Sequence, residues 1–370
     1  MAVNRIREKI ALLPGDLFLD IGRSKANASG KAEKILFASK PSPVNWGNGP
    51  ASHFFHLSAS LGAAFYPEDG DSAEEILKKA DSAMYVAKNT GKDCWCFYES
   101  HIGEAAYARM ILANSLRRAL EREELLLHFQ AQVSCDRQRV VGFEALLRWT
   151  SPEHGCVPPV KFVPLAEQSG LICQIGRYVL SEACRFVCRL NETGHPEIRV
   201  AVNISPRQLA ASDFVDIVRQ CIVEHGIEAN RLELEVTESV FIESIEDSIK
   251  KLLVLKEMGV FLALDDFGAG YSSLTYLRHL PVHTLKIDKS FIDPIPGDDS
   301  QERFVRFIIE MAHCLNLQVV AEGVEKQTQV ARLESFFCDI IQGYVYSRPA
   351  PAEDAIQLLS DNLLQADRVG

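Results

Sequence analysis

From about Leu125 onward, short runs rich in β-branched and aromatic residues alternate with longer amphipathic segments. This alternation is typical of α/β proteins, in which helices connect neighbouring strands of a largely parallel sheet. The predicted strands are 125–133, 140–149, 199–205, 231–237, 260–266, 284–288, 318–323 and 340–347, and the predicted helices are 164–190, 213–226, 245–258, 301–315 and 327–338. Eight strands spread over roughly 250 residues are typical of a TIM-type (β/α)8 barrel, which is the fold we predict.

The connection between the first two predicted strands departs from the usual barrel pattern. It spans only residues 135–139, which is too short for the crossover that joins parallel strands. We therefore expect the first strand to be antiparallel to the second.

The first hundred residues differ from the barrel region in composition and in pattern. Predicted strands at 60–65 and 94–98 flank a predicted helix at 72–88, which indicates a small α+β unit. We expect this unit over residues 1–100, a linker helix over 101–123, and the barrel over 124–365.

The charge and composition exclude several classes of partner. The formal net charge is −11, whereas a protein that binds polymeric nucleic acid needs a basic surface. The apolar runs are too short to span a membrane, and the charged N-terminus lacks a signal peptide. Ten cysteines without a Cys-x-x-Cys motif fit a reducing cytoplasm. We therefore expect a cytoplasmic protein that contacts neither a membrane nor a nucleic acid polymer.

Polar residues recur at or near the C-terminal ends of the predicted strands, where barrel enzymes place their chemistry. Asp265 and Asp266 alone would suggest an acidic turn, because neighbouring carboxylates repel each other and avoid burial. Their recurrence with other polar residues instead favours a site for divalent cations, which prefer oxygen ligands. The residues are Gln130, Glu144, Asn203, Glu235, Asp265, Asp266, Lys286, Glu322 and Gln342.

Several motifs in this region lie in a fixed order. They are Glu144-Ala145-Leu146, Asn203-Ile204-Ser205, Glu235-Val236-Thr237-Glu238, Asp265-Asp266-Phe267-Gly268, Lys286-Ile287-Asp288, Glu322-Gly323-Val324-Glu325 and Gln342-Gly343-Tyr344. From about Asn114 to the C-terminus, the chain resembles the EAL-domain cyclic di-GMP phosphodiesterases, which are bacterial signalling enzymes.

The N-terminal unit resembles the back half of a GGDEF (diguanylate cyclase) domain. The likeness is carried by residues 58–62, 66–70 and 80–88. The hairpin motif of that family would fall at 14–18, where Pro14 replaces a glycine and Leu17 replaces the catalytic acid. The front half of the domain lies outside this sequence, so we expect a degenerate, incomplete unit without cyclase activity. Arg5 and Glu8 only weakly match the family's inhibitory Arg-x-x-Asp motif.

The resemblance implies hydrolysis of cyclic di-GMP to linear pGpG with two Mg²⁺ or Mn²⁺ ions. It implies that the metal ligands are Glu144, Asn203, Glu235, Asp265, Asp266 and Glu322. It also implies that Lys286, Glu322 and Glu144 take part in the chemistry, with Lys286 orienting the attacking water.

By the same resemblance, Gln130, Leu146, Arg148 and Gln342 contact the substrate. Arg148 suits a phosphate, because its guanidinium can donate two parallel hydrogen bonds. A regulatory loop is expected around Gly268, Gly270 and Ser272, supported by Glu238. The resemblance also implies a homodimer through the barrel. This sequence departs from the family at Ala131, Ala269 and His283, and none of these replaces a ligand.

Two alternatives stay open at this point. A catalytically weak or inactive cyclic di-GMP receptor would use the same fold, although such receptors lose metal-binding carboxylates that this chain retains. A different TIM-barrel metal enzyme would need a phosphate-binding loop after the last strands, and the sequence around Arg348 does not resemble one.

Overall fold

The computed structural model describes residues 60–89, 95–98, 100–136, 138–238, 240, 245–268, 277–278 and 280–360. The chain divides into two compact units, Met1–Ser115 and Leu116–Gly370. The predicted boundaries at 100 and 123 stay predictions. The positions singled out at 5, 8, 14 and 17 lie outside the described residues.

The first unit contains a two-stranded parallel sheet with a helix packed on it. Strands β1 (Leu61–Ala63) and β2 (Trp95–Phe97) pair in parallel, and the helix Ala73–Asn89 connects them. A Cβ atom at Gly62 would lie 2.0 Å from the carbonyl oxygen of Ala80. Glycine therefore lets the helix backbone contact the strand directly. A further helix, Ser100–Ala119, follows β2.

The second unit is a closed barrel of eight strands, and this confirms the predicted fold class. The barrel strands follow one another in the order β3, β11, β10, β9, β8, β7, β6 and β4, and β4 pairs with β3 to close the ring. Their bounds are β3 Leu125–Ser134, β4 Val140–Ser151, β6 Arg199–Ile204, β7 Leu232–Thr237, β8 Phe261–Phe267, β9 Thr284–Ile287, β10 Gln318–Ala321 and β11 Ile340–Gln342.

Strand β3 is antiparallel to both of its neighbours, β4 and β11, as the short first connection predicted. The other barrel strands pair in parallel. The sequence did not reveal a short extra strand, β5 (Gly155–Val157), which extends β4 outside the ring as a hairpin. At three residues it is too short to show a periodic pattern.

Helices cover the outside of the barrel. They are Pro159–Ser169, Ile172–Glu192, Pro206–Ala210, Phe214–His225, Ile245–Glu257, Lys289–Ile292, Asp299–Cys314, Gln327–Ser335 and Ala352–Ser360. The single predicted helix at 164–190 was wrong, because Gly170 adopts a left-handed conformation (φ 78°) and separates two helices. No helix in the described part of the chain is long and apolar enough to cross a membrane.

Three side chains at the N-terminal ends of β6, β8 and β9 contact one another. The Arg199 guanidinium lies 4.1 Å from the centre of the Phe261 ring, and the His283 ring lies 4.6 Å from the same ring. The backbone N–H of Leu262 donates to His283 Nδ1 at 3.1 Å. His283 is therefore held as the neutral ring, with Nδ1 as an acceptor.

This arrangement predicts a loss of stability in mild acid. Burial and the nearby cations Lys256 and Arg199 lower the pKa of His283. The unfolded chain therefore binds a proton more readily than the folded protein below about pH 6.5, and the free energy of unfolding decreases as the pH falls. We expect His283→Asn, which keeps an acceptor that does not titrate, to lose less stability. Urea unfolding at several pH values tests this, and identical pH dependence in both proteins would contradict it.

Candidate functional site

The centre of the site is Lys286 in β9, whose side chain is 1% exposed. Carboxylates from β4, β7, β8 and the loop after β10 surround its Nζ atom. They are Glu322 at 2.6 Å, Glu235 at 2.7 Å, and Glu144 and Asp265 at 3.6 Å each. The structure therefore brings together residues that the sequence placed at separate strand ends.

The electrostatics of this cluster are dominated by excess negative charge. Burial disfavours a charged Lys286, but the four carboxylates outweigh this effect and raise its pKa well above the usual value. Burial and the neighbouring Glu144 raise the pKa of Glu235 well above its usual range, although Lys286 opposes the shift. Burial likewise raises the pKa of Glu322 to about 8, again against Lys286. One ammonium thus cannot neutralise the site, and protons or cations must supply the remaining positive charge.

Glu144 differs from its neighbours because side-chain donors hold both of its oxygens. Asn203 Nδ2 donates to Oε1 at 2.6 Å, and Gln342 Nε2 donates to Oε2. Burial alone would raise the pKa of Glu144, but Lys286 and these two amides outweigh burial and lower it. Among the three glutamates around Lys286, Glu144 is therefore the one whose pKa is lowered.

The adjacent residues Asp265 and Asp266 reach the same point because the strand is irregular there. Leu264 pairs with Leu285 but Phe267 pairs with Ile287, so β8 carries one extra residue relative to β9. Asp266 has a positive φ of 54°, a left-handed conformation that glycine, asparagine and aspartate adopt more readily than other residues. A regular strand would direct the Asp265 and Asp266 side chains to opposite faces of the sheet. Here oxygens of Asp265, Asp266 and Glu322 lie within 4.8 Å of one another.

The glutamines form a buried hydrogen-bonded group beside Glu144. Gln342 Nε2 donates to Gln130 Oε1 at 3.2 Å, and Gln130 Nε2 donates to the carbonyl oxygen of Ser347 at 3.1 Å. A third glutamine, Gln132, donates to Gln342 Oε1 at 3.0 Å. The sequence-based site omitted Gln132, although it follows Gln130 by two residues and so shares its face of β3.

The two remaining substrate residues lie further along β4. The Arg148 guanidinium donates to the carbonyl oxygen of Leu147 at 3.0 Å and forms no ion pair with the residues that the structure describes. Leu146 is half-buried. The structure therefore leaves the positive charge of Arg148 available for an anion, while its role in substrate binding stays a prediction.

The expected support for the loop after β8 is present in part. The backbone N–H of Gly268 donates to Glu238 Oε1 at 3.1 Å. Gly268 has a φ of 96°, and a Cβ atom there would lie 2.7 Å from the Phe291 ring, so glycine is required at this position. Gly270 and Ser272 lie outside the described residues.

Comparison with known proteins agrees with this geometry. Residues 113–349 match the EAL domain, and residues 26–94 match the diguanylate cyclase GGDEF domain. The chain belongs to the EAL domain family. Both matches confirm the resemblance inferred from the motifs, and this EAL domain carries the carboxylate cluster described above.

Two relatives from Pseudomonas aeruginosa match most of this chain. The bifunctional diguanylate cyclase/cyclic di-GMP phosphodiesterase MucR of Pseudomonas aeruginosa is 41% identical over 95% of this chain and 51% of its own length. The cyclic di-GMP phosphodiesterase NbdA of the same species is 41% identical over 80% of this chain and 38% of its own length. This chain thus spans about half, or less, of these curated relatives.

Solved structures share the barrel. The P. aeruginosa MucR phosphodiesterase in complex with c-di-GMP has 44% identity and a TM-score of 0.64, over 66% of this chain and 99% of that one. The EAL enzyme Bd1971, bound to cAMP and cyclic di-GMP, has 28% identity and a TM-score of 0.67, over 78% of this chain and 80% of that one.

The donor set of this EAL domain fits divalent cations. Glu235 Oε1 lies 2.7 Å from the Lys286 ammonium, whereas the equally buried Oε2 has no hydrogen-bond donor among the described residues. Buried carboxylate oxygens without donors are costly unless a cation compensates them. Asp265, Asp266 and Glu322 add further oxygen ligands close by, of the kind that Mg²⁺ and Mn²⁺ prefer.

The conformation of Asp266 predicts a difference between two substitutions that both remove its carboxylate. A left-handed backbone costs alanine about 1–2 kcal/mol, and asparagine tolerates it better because its short amide can hydrogen-bond the local backbone. We therefore expect Asp266→Ala to be less stable than Asp266→Asn by about that amount. Urea unfolding in a buffer with a metal chelator measures the difference, and equal unfolding midpoints would contradict the role of the positive φ.

Proposed function

We propose that this barrel hydrolyses cyclic di-GMP to linear pGpG, using two divalent metal ions. The observation that carries the proposal is the position of Lys286, with Glu144, Glu235, Asp265 and Glu322 within 3.6 Å of its ammonium. Besides the bifunctional MucR, support comes from two relatives that are named cyclic di-GMP phosphodiesterases, NbdA and the Escherichia coli protein PdeR. Because this chain spans under half of NbdA and of PdeR, the proposal concerns the barrel alone.

The ligand oxygens divide into two overlapping sets. Glu144, Asn203, Glu235 and Asp265 would hold one ion, and Asp265, Asp266 and Glu322 would hold the other. Mg²⁺ or Mn²⁺ bound there would supply Lewis acidity toward the phosphodiester and lower the pKa of a water molecule. Because Asp265 would belong to both sets, its carboxylate and that of the adjacent Asp266 must lie close together.

The residues around this set have roles of their own. Lys286 Nζ keeps its proton, and it can donate a hydrogen bond to the attacking water while it neutralises Glu235 and Glu322. The water oxygen forms a bond to phosphorus as the bond to the leaving ribose oxygen breaks, and that oxygen takes up a proton. Arg148 would hold a non-bridging phosphate oxygen. Gln130, Leu146 and Gln342 would border the substrate.

The other untested expectations stay predictions. A homodimer through the barrel and a cytoplasmic location are both consistent with the family. The exposed aromatic residues Phe304 (45%) and Phe307 (53%) offer an apolar surface for a second copy. The Phe304 ring contacts the Phe291 ring, with 5.5 Å between the ring centroids. Phe291 in turn lies against Gly268. This surface is therefore connected to the loop that follows Asp265 and Asp266.

Chromatography of cyclic di-GMP incubated with the purified protein tests the reaction directly. We expect pGpG to appear with Mg²⁺ or Mn²⁺ and not in excess chelator. Glu144→Gln should lower turnover at least about 100-fold while binding of cyclic di-GMP is retained, since it removes one charged ligand. Asp216→Asn, which affects only a surface pair with Arg219 in the helix Phe214–His225, should leave turnover unchanged. Tight binding without product in the native protein would instead favour the receptor alternative.

The contact between Glu238 and the Gly268 N–H predicts a graded effect on turnover. Glu238→Ala removes the acceptor, so we expect kcat to fall about 3–10-fold and the Mg²⁺ optimum to rise as the loop loosens. Glu238→Gln keeps an acceptor oxygen and should stay closer to the native rate. Initial rates over a series of Mg²⁺ concentrations measure both variants, and an unaltered rate in Glu238→Ala would remove this role.

A further inference from the structure

Gln132 is a buried polar residue that lies between two strands carrying site residues. It is 5% exposed and pairs with Gly142 of β4 on one side and Gln342 of β11 on the other. A Cβ atom at Gly142 would lie 2.7 Å from Gln132 Oε1. The absence of a side chain at Gly142 therefore leaves the space that the Gln132 amide occupies between the two strands.

The hydrogen bonds around Gln342 have only one consistent direction. The carbonyl oxygen of Ser347 can only accept, so Gln130 must turn its Nε2 atom toward it and its Oε1 atom toward Gln342. Glu144 Oε2 likewise faces the Nε2 atom of Gln342, which donates to it. Both contacts place the amide nitrogen of Gln342 toward the site and its Oε1 atom on the opposite side.

Gln132 supplies the partner that this orientation requires. Its Nε2 atom donates to Gln342 Oε1 at 3.0 Å, and no other side chain of the described residues donates to that oxygen. Without this donor, the buried oxygen would lose its hydrogen bond, and a flipped amide would direct an oxygen at the Glu144 carboxylate. The hydrogen bond from Gln132 to Gln342 thus controls the contact between Gln342 and Glu144.

We propose that Gln132 is a positioning residue for Glu144. By holding the amide of Gln342, it keeps one oxygen of the Glu144 carboxylate fixed, while Asn203 fixes the other. The inference rests on the proposed function, in which Glu144 is a metal ligand. Residues that orient a ligand from outside commonly change metal affinity 10–100-fold, and Gln132 acts one step beyond such a residue.

Two substitutions of Gln132 separate positioning from packing. Gln132→Met keeps the length of the side chain but removes the donor. Gln132→Glu replaces the donor with a carboxylate, which attracts the amide nitrogen of Gln342 away from Glu144. Ser134→Ala is the matched control, because Ser134 is also buried on β3 but its hydroxyl bonds Asp136 instead of Gln342.

The first measurement is Mn²⁺ binding without substrate, followed by electron paramagnetic resonance of the free ion. We expect Gln132→Met to weaken Mn²⁺ about 3–10-fold and Gln132→Glu at least about 10-fold, with Ser134→Ala unchanged. In the hydrolysis assay kcat should fall in the same order. Native Mn²⁺ affinity in both Gln132 variants, with only a loss of thermal stability, would overturn the proposal.

The second measurement needs no metal and no activity. In chelator, the urea midpoints of Gln132→Met, Glu144→Gln and the double variant form a cycle between two residues that both hydrogen-bond Gln342 and not each other. We expect the double variant to lose less than the sum of the single losses, because either change releases the Gln342 amide. Additive losses would overturn the proposal. If the native protein fails to hydrolyse cyclic di-GMP, the proposed function fails, while this cycle still decides the role of Gln132.

Discussion

The structure depends on the burial of one ammonium among carboxylates. Removing Lys286 from water costs several kcal/mol, and only close carboxylates can offset that cost. Those carboxylates come from several different strands, so the cluster exists only when the ring of strands is closed in the correct register. Because the carboxylates outnumber the ammonium, the same cluster is also a ready site for cations.

Smaller features then decide how each carboxylate is presented. The extra residue in β8 and the positive φ of Asp266 bring two adjacent acids to one point. The amides of Asn203 and Gln342 hold Glu144, whereas Glu235 has only the Lys286 ammonium beside it, at Oε1. The site therefore combines one firmly oriented, ionised acid with others whose oxygens are available to a metal ion.

Much of the fold could be predicted from the sequence, because strand and helix periodicities are local properties. All eight barrel strands appear within a few residues of their predicted bounds, except that β11 ends at Gln342. The errors have equally local causes. Gly170 divides a helix that hydrophobic periodicity made continuous, and β5 is too short to produce a pattern. The candidate acids were also visible, since each interrupts an apolar run near the end of a strand.

The sequence by itself determined the barrel, the family and the set of polar residues at the strand ends. Only the tertiary structure decided which of them touch, which are ionised and which are held. Those properties depend on distances between strands that are far apart in the chain, and on burial, which changes the cost of every charge. For the same reason Gln132 has no visible role in the sequence, and it acquires one only where β11 pairs with β3 and brings Gln342 beside it.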